Sequence, residues 1–295
     1  MTTSVLISST SQSNSIVKKY PLMFFFLLAY GLTWPFMIVE VFESYNMLPF
    51  QVPMAILILQ AFMPGLAAVI VTGLSSGREG IRALFRKLLI VRVEFRWYAF
   101  AIFGMAAISA AAIALHNLFG SLPGIPFLST KMPVFSSPVE LLLNIMLLFI
   151  FSILFNSEEF GWRGFALPRL QAKYNALTSS LILSVPWLFF HLPLFFKQGS
   201  SQADSSFLSY GIGIVATTVL FTWMYNNTRG SLLMAFLLHA SSNTWTQIFS
   251  INSDATNHFL AWMMTGVLVL LAILVTVMSG AENLSRSHVR IQEEN

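Results

Sequence analysis

Cysteine is absent from all 295 residues, and charged side chains make up only 9% of them. The first absence excludes disulfides, thiolate nucleophiles and cysteine-ligated metals. The second excludes an ordinary soluble domain, in which about 25% of residues are charged. What fills the chain instead is 56% hydrophobic, with 28 Phe and 14 Met and a mean hydropathy of +0.73. Ten-residue segments of alternating polarity, the mark of a transmembrane barrel, are missing. There is no internal repeat, no nucleotide or phosphate motif, and no clear signal-peptide cleavage site after Lys18-Lys19. The expected class is an all-α polytopic membrane protein with a retained first span, in contact with the lipid bilayer and with no nucleic-acid partner.

Apolar stretches of roughly 20 residues predict about eight transmembrane helices, near 21–42, 53–74, 97–117, 139–158, 179–196, 207–225, 231–250 and 258–278. The expected organisation is a flexible cytoplasmic tail at 1–20 and N-terminal helices over 21–138 with a basic loop at 75–96. A helical core at 139–250, a last span at 251–278 and a cytoplasmic tail at 279–295 complete it. Of the 16 Lys and Arg, only Lys131 and Lys197 fall in the loops this topology places outside. The positive-inside rule therefore predicts a multi-pass protein of the plasma membrane with both termini cytoplasmic. The amphipathic spacing of Ile81, Leu84, Phe85, Leu88 and Leu89 beside Arg and Lys suits the anionic inner leaflet.

Against this apolar background three polar clusters are costly. A charged side chain at a helix centre costs roughly 2.5–3.5 kcal/mol on translocon scales, so each cluster is a functional-site candidate. Glu158 and Glu159 close the fourth apolar stretch, with Arg163 four residues beyond Glu159 and on its face. Glu158 is rotated about 100° from Glu159, which suits one structural carboxylate and one general base. His191 lies between Pro186 and Pro193, which break its helix. His239 and Asn243 are four apart, hence on one face, and an imidazole with an amide on one stripe suits an oxyanion clamp. Rise per residue puts His239 on the order of 12 Å and His191 on the order of 18 Å from the cytoplasmic ends of their spans. With Glu158 near that boundary, the site is expected in the cytoplasmic half, opening towards the cytoplasmic leaflet.

Two histidines and a glutamate also match a zinc ligand set, although H-E-x-x-H is missing. A divalent metal such as zinc is thus possible but not required. Glu40, Glu43 and Glu140 are expected to snorkel to the interface, and Gln60 to pair helices. His116, His258 and His288 carry no assignment.

E-E-x-x-x-R, then aromatic-x-x-x-H, then H-x-x-x-N, each on its own apolar segment over roughly 139–250, resembles the CPBP family. That family includes the type II CAAX prenyl proteases and the bacteriocin-processing or immunity proteins, also called Abi. The resemblance implies an intramembrane endopeptidase, glutamic-type or metal-dependent, acting on a membrane-associated peptide or protein. It implies Glu158 as the residue that activates water with help from His191, and His239 and Asn243 as the pair that stabilises the oxyanion. Glu159 and Arg163 look like structural support. The sequence departs from the family in having Trp187 where the second motif usually begins with Phe. Two other readings stand beside this one: an ion-coupled transporter, which the missing repeat disfavours, and a catalytically inactive immunity or scaffold member.

Overall fold

A computed structural model describes residues 16–120, 124–129, 137–249, 251, 258–287 and 290–292. Most of the expected N-terminal tail, Lys131 and His288 lie outside them. The described residues form helices and no strand, apart from an isolated bridge between Leu128 and Phe249. In chain order the helices are α1 (Ile16–Lys19), α2 (Pro21–Ser44), α3 (Met54–Gln60), α4 (Met63–Arg86), α5 (Phe95–Phe119) and α6 (Pro138–Leu154). There follow α7 (Leu167–Gln171), α8 (Ala176–Phe190), α9 (Phe207–Asn227), α10 (Leu232–Ile248) and α11 (His258–Ser279).

Every one of the eight apolar stretches falls on helix. Among the described residues four helices, α2, α5, α9 and α11, are long and apolar enough to cross a membrane, and α3 with α4 adds a fifth bent by 44°. The other three are shorter than the sequence suggests. α6 has 17 residues, α8 has 15 and α10 has 17. At 1.5 Å per residue they reach about 22–26 Å, less than the hydrocarbon thickness of about 30 Å. The stretch expected to run to 158 stops at Leu154, before Asn156, Ser157 and Glu158. The one expected to run to 196 stops at Phe190, where a 3₁₀ turn over Leu192–Phe196 takes over. The polar residues that make the sequence distinctive are where the helices break.

Side-chain caps fix the starts of these helices. Asn175 accepts from the Thr178 amide, Ser206 from Ser209 and Ser231 from Met234. α9 is the central helix, with 56% of its apolar window buried, and it packs against α8 and α11. α10 packs against α5 and α6. α6 buries no residue, and its exposed Leu142, Leu143, Met146, Leu147 and Ile150 form a lipid-facing surface.

The two ends of the bundle differ. One end gathers the basic loop, the start of α8 and the C-terminal segment. There Arg229 and Ser231 donate to the carbonyls of Arg92 and Ile90, the amide nitrogen of Ala176 donates to the carbonyl of Glu282, and Gln171 and Asn226 pair. The other end gathers residues 44–52 and 191–206. Ser44 Oγ accepts from the Gln198 amide at 3.0 Å.

The break after α6 is held against α4 by a close backbone approach. Ser157 Oγ donates to the Ala61 carbonyl at 2.8 Å and accepts from the Gly65 amide at 2.9 Å. A Cβ at Gly65 would stand 2.6 Å from Ser157 Cβ and 3.1 Å from the Ser157 carbonyl oxygen. Gly65→Ala should therefore displace the segment that carries Glu158. The expected cost is about 1–3 kcal/mol, the range for overpacking, seen as a lowered melting temperature of the detergent-solubilised protein. An unchanged melting temperature would mean the approach is looser than this.

Candidate active site

Beyond the break the chain resumes as a π-helix over Phe160–Ala166 and continues through α7. π-turns inside helices recur at functional sites. Both glutamates reach forward to a side chain four positions on. Glu159 Oε1 accepts from Arg163 Nη1 at 3.0 Å, and neither side chain has any solvent exposure. Glu158 Oε2 accepts from the indole N–H of Trp162 at 2.8 Å.

A second helix completes the hold on Glu158. Trp187, on α8, donates its indole N–H to the same Oε2 at 2.9 Å. The sequence marks Trp187 only as a departure that keeps aromatic packing. In the fold it is a hydrogen-bond donor to the carboxylate of the first motif. Nothing in the sequence distinguishes Trp162 from a packing residue either. With Oε2 doubly occupied, Oε1 is the oxygen left facing His191, whose Nε2 is 4.0 Å away.

His191 is set by the broken end of α8. Its backbone N–H bonds to Leu188 rather than to the residue four back, so the Trp187 carbonyl is released from the helical ladder. Nδ1 of His191 takes that carbonyl as its partner at 2.9 Å. A carbonyl can only accept, so Nδ1 carries the proton, and Nε2 of the neutral ring presents its lone pair. Two aromatic residues of α2 satisfy neighbouring carbonyls: Tyr30 Oη donates to Pro186 and Trp34 Nε1 donates to Phe190 at 3.0 Å. Just beyond, Lys197 and Gln60 both bond Glu40. Glu40 was expected to snorkel; it is buried, 3% exposed, because Lys197 folds back onto α2 beside it. Gln60 pairs helices as expected.

His239, on α10, points Nδ1 at Glu159 Oε1 at 2.7 Å. One oxygen of Glu159 thus holds both Arg163 and His239, and Nε2 of His239 is the nitrogen left for the cavity that this residue lines. The guanidinium of Arg163 lies between two rings, 4.0 Å from the centroid of Trp187 and 3.9 Å from that of Phe221 on α9. Glu159 Oε2 and Arg163 Nε and Nη2 have no hydrogen-bond partner among the described residues. Asn243, one turn beyond His239, lines the same cavity.

That cavity has a volume of about 370 Å³ and is walled by α9, α10, α11 and residues 201–206, with Trp187 and His191 at its floor. Glu158, Glu159, Arg163, His191, His239 and Asn243 therefore come together at one place, with Glu159, Arg163 and His239 joined by direct hydrogen bonds and Glu158 facing His191. The rim of the cavity lies away from the basic end of the bundle. Residues 201–206 precede α9, while the basic Arg229 follows it, about 30 Å away along its 21 residues. The reason is that Glu158 does not end a span, because helix runs on from it to Gln171 at the basic end. His191 stands 15 residues along α8 from that end. The residues suited to zinc do not form a metal group, for no three His, Asp or Glu side chains converge on a metal position among the described residues. Both imidazoles bond through Nδ1 and leave Nε2 open.

Comparison with known proteins covers this same region. Residues 138–245 match the sequence model of the family described as type II CAAX prenyl endopeptidase Rce1-like. This segment runs from the start of α6 into α10 and contains all six site residues. A curated relative from Methanococcus maripaludis, CAAX prenyl protease 2, is 29% identical over 134 residues, 43% of this chain. The chain spans about half the length of that relative, 48%. The resemblance carried by the three motifs holds over nearly the residues that suggested it: through its site-bearing helices this chain is similar to the Rce1-like type II CAAX prenyl endopeptidases.

Proposed function

We propose that the chain is an intramembrane endopeptidase that hydrolyses a peptide bond of a membrane-associated peptide or protein, with Glu158 as the general base. The observation that carries this reading is the asymmetry of Glu158. Two indoles fix Oε2, and Oε1 faces His191 Nε2 across 4.0 Å at the edge of a cavity. That gap exceeds a hydrogen bond and suits one bridging water. The similarity to the Rce1-like family, and to a relative named as a protease, supports the same reading.

The chemistry follows from the donors present. A water placed between Glu158 Oε1 and His191 Nε2 attacks the scissile carbonyl carbon, and its proton passes to Oε1. The carbonyl π-electrons move onto oxygen, and the Asn243 side-chain N–H and His239 hold the oxyanion. His239 can donate from Nε2 only when both ring nitrogens are protonated, since Nδ1–H is given to Glu159. The cluster accommodates that state. Two carboxylates and one guanidinium carry a net negative charge, which an imidazolium brings to zero. Collapse of the tetrahedral intermediate breaks the C–N bond, and Glu158 returns the proton to the leaving amine. No step requires a metal. Arg163 and Glu159 fix the position of His239 and do not touch the substrate.

The substrate is to be found by incubating the purified protein with a library of membrane-associated peptides. With a cleaved peptide in hand, Glu158→Gln should lower kcat by about 10²–10⁴, the contribution of a positioned general base, while the melting temperature stays near that of the unmodified chain. Retention of the original rate would sink the mechanism. Trp187→Phe keeps the ring and the usual family residue but removes one donor to Glu158. Hydrogen bonds to charged groups contribute about 1.5–3 kcal/mol, so kcat should fall about 10- to 100-fold with little change in KM. A change confined to KM would make Trp187 a pocket wall rather than a positioning residue.

A further inference from the structure

Positive charge is scarce in this chain, 16 Lys and Arg in 295 residues, yet four of these side chains wall one recess at the basic end. Lys18 and Lys19 come from α1, Arg169 from α7 and Lys173 from the turn after it. Ser75 and Ser76 close the recess, just before α4 departs from helical geometry at Gly77 (φ 64°). Its volume is about 590 Å³. No Asp or Glu lines it, and Lys18, Lys19 and Lys173 form no ion pair among the described residues. Arg169 donates to the Phe165 carbonyl at 2.9 Å and lies over the Phe165 ring, which fixes its guanidinium. Like charges gathered without a counter-charge repel one another unless an anion sits among them.

The start of α2 adds to the same field. Pro21, Leu22 and Met23 line the recess, and Tyr20 at the N-cap makes no side-chain capping bond. The first amides of a helix and its dipole both favour an anion. Depth then narrows the choice of anion. α2 is long and apolar enough to cross a membrane, and Lys18 and Lys19 stand just before it. Lys19 Nζ lies 5.1 Å from the centroid of the Tyr20 ring. Lysine and tyrosine at the end of a span belong at the level of the lipid headgroups.

We propose that this recess binds the headgroup phosphate of an anionic phospholipid, held by the three lysines, Arg169 and the first turn of α2. A zwitterionic headgroup would bring a further cation to a site that already holds four, whereas a headgroup of net negative charge offsets them. The site is separate from the cavity and does not depend on the peptidase reading. It does touch the segment that carries the general base, because α7 continues the π-helix that begins just after Glu158 and Glu159. A bound headgroup links that segment to the start of α2 and to the bend of α4.

The test uses the full chain in nanodiscs. In an equal mixture of phosphatidylcholine and phosphatidylglycerol it should melt at least about 2 °C higher than in phosphatidylcholine alone, as a ligand of the folded state requires. Lys18→Gln/Lys19→Gln/Lys173→Gln, all at exposed positions, should lose most of that difference. Arg78→Gln/Arg82→Gln/Arg86→Gln removes the same charge from exposed positions outside the recess and should keep it. Native mass spectrometry should find phosphatidylglycerol retained on the unmodified chain and the arginine variant, and lost from the lysine variant. An undiminished difference in the lysine variant, or equal losses in the two variants, would overturn the site. Inorganic phosphate added to phosphatidylcholine nanodiscs should leave the melting temperature unchanged. A rise there as large as that given by phosphatidylglycerol would make the recess a site for soluble phosphate and overturn the lipid assignment.

Discussion

The structure turns on a charge pair with no access to solvent. Glu159 and Arg163 are both fully enclosed, and such a pair is stable only if geometry and further contacts replace the water each has lost. Those contacts come from every direction. His239 reaches the carboxylate from α10, and the rings of Trp187 and Phe221 cover the two faces of the guanidinium from α8 and α9. One ion pair thereby joins the π-helix to three other helices. Removing a single partner from a buried pair generally costs 3–5 kcal/mol because the other charge is stranded. The relative positions of these four segments, and with them the shape of the cavity, are consequences of that constraint.

The same constraint explains why adjacent glutamates differ. Glu159 is held by a cation and an imidazole, so its charge is matched locally. Glu158 is held by two neutral indole donors on one oxygen, which orient the carboxylate without supplying a positive charge. A carboxylate fixed in direction but not neutralised by an adjacent guanidinium keeps its capacity to accept a proton. Swapping the environments would give a base quenched by Arg163 and a structural glutamate without a counter-ion.

Periodicity and cost made much of this legible. Eight apolar stretches located the helices, and the expense of polar groups in lipid singled out six residues that do gather at one place. The i,i+4 spacing foretold the contact between Glu159 and Arg163. What could not be read was anything depending on which way a side chain faces after folding. Trp162 and Trp187 were two of seven tryptophans in a chain rich in aromatics, and an indole N–H is a donor only relative to an acceptor elsewhere. Glu40 looked interfacial because its partner, Lys197, is 157 residues away. Depth counted for residues 158 and 191 along whole spans does not carry over, because α6 ends at Leu154 and α8 at Phe190. Counting residues along a helix gives depth only while the helix continues.

Those interruptions are themselves what permits a site at this depth. An uninterrupted helix satisfies its own carbonyls and leaves none for a side chain to use. Breaking α8 after Phe190 frees the Trp187 carbonyl, and this carbonyl fixes which nitrogen of His191 bears the proton. Freed carbonyls are tolerable only where other donors meet them, and Tyr30 and Trp34 of α2 supply two. Likewise the break after Leu154 is bonded to Ala61 and Gly65 through Ser157, so Glu158 leaves it in a defined direction. The N-terminal helices, which lie outside the segment shared with the Rce1-like family, thus do the backbone bonding that two broken helices cannot do for themselves. It follows that a core cut to residues 138–245 would keep every site residue yet lose the donors and acceptors that aim two of them.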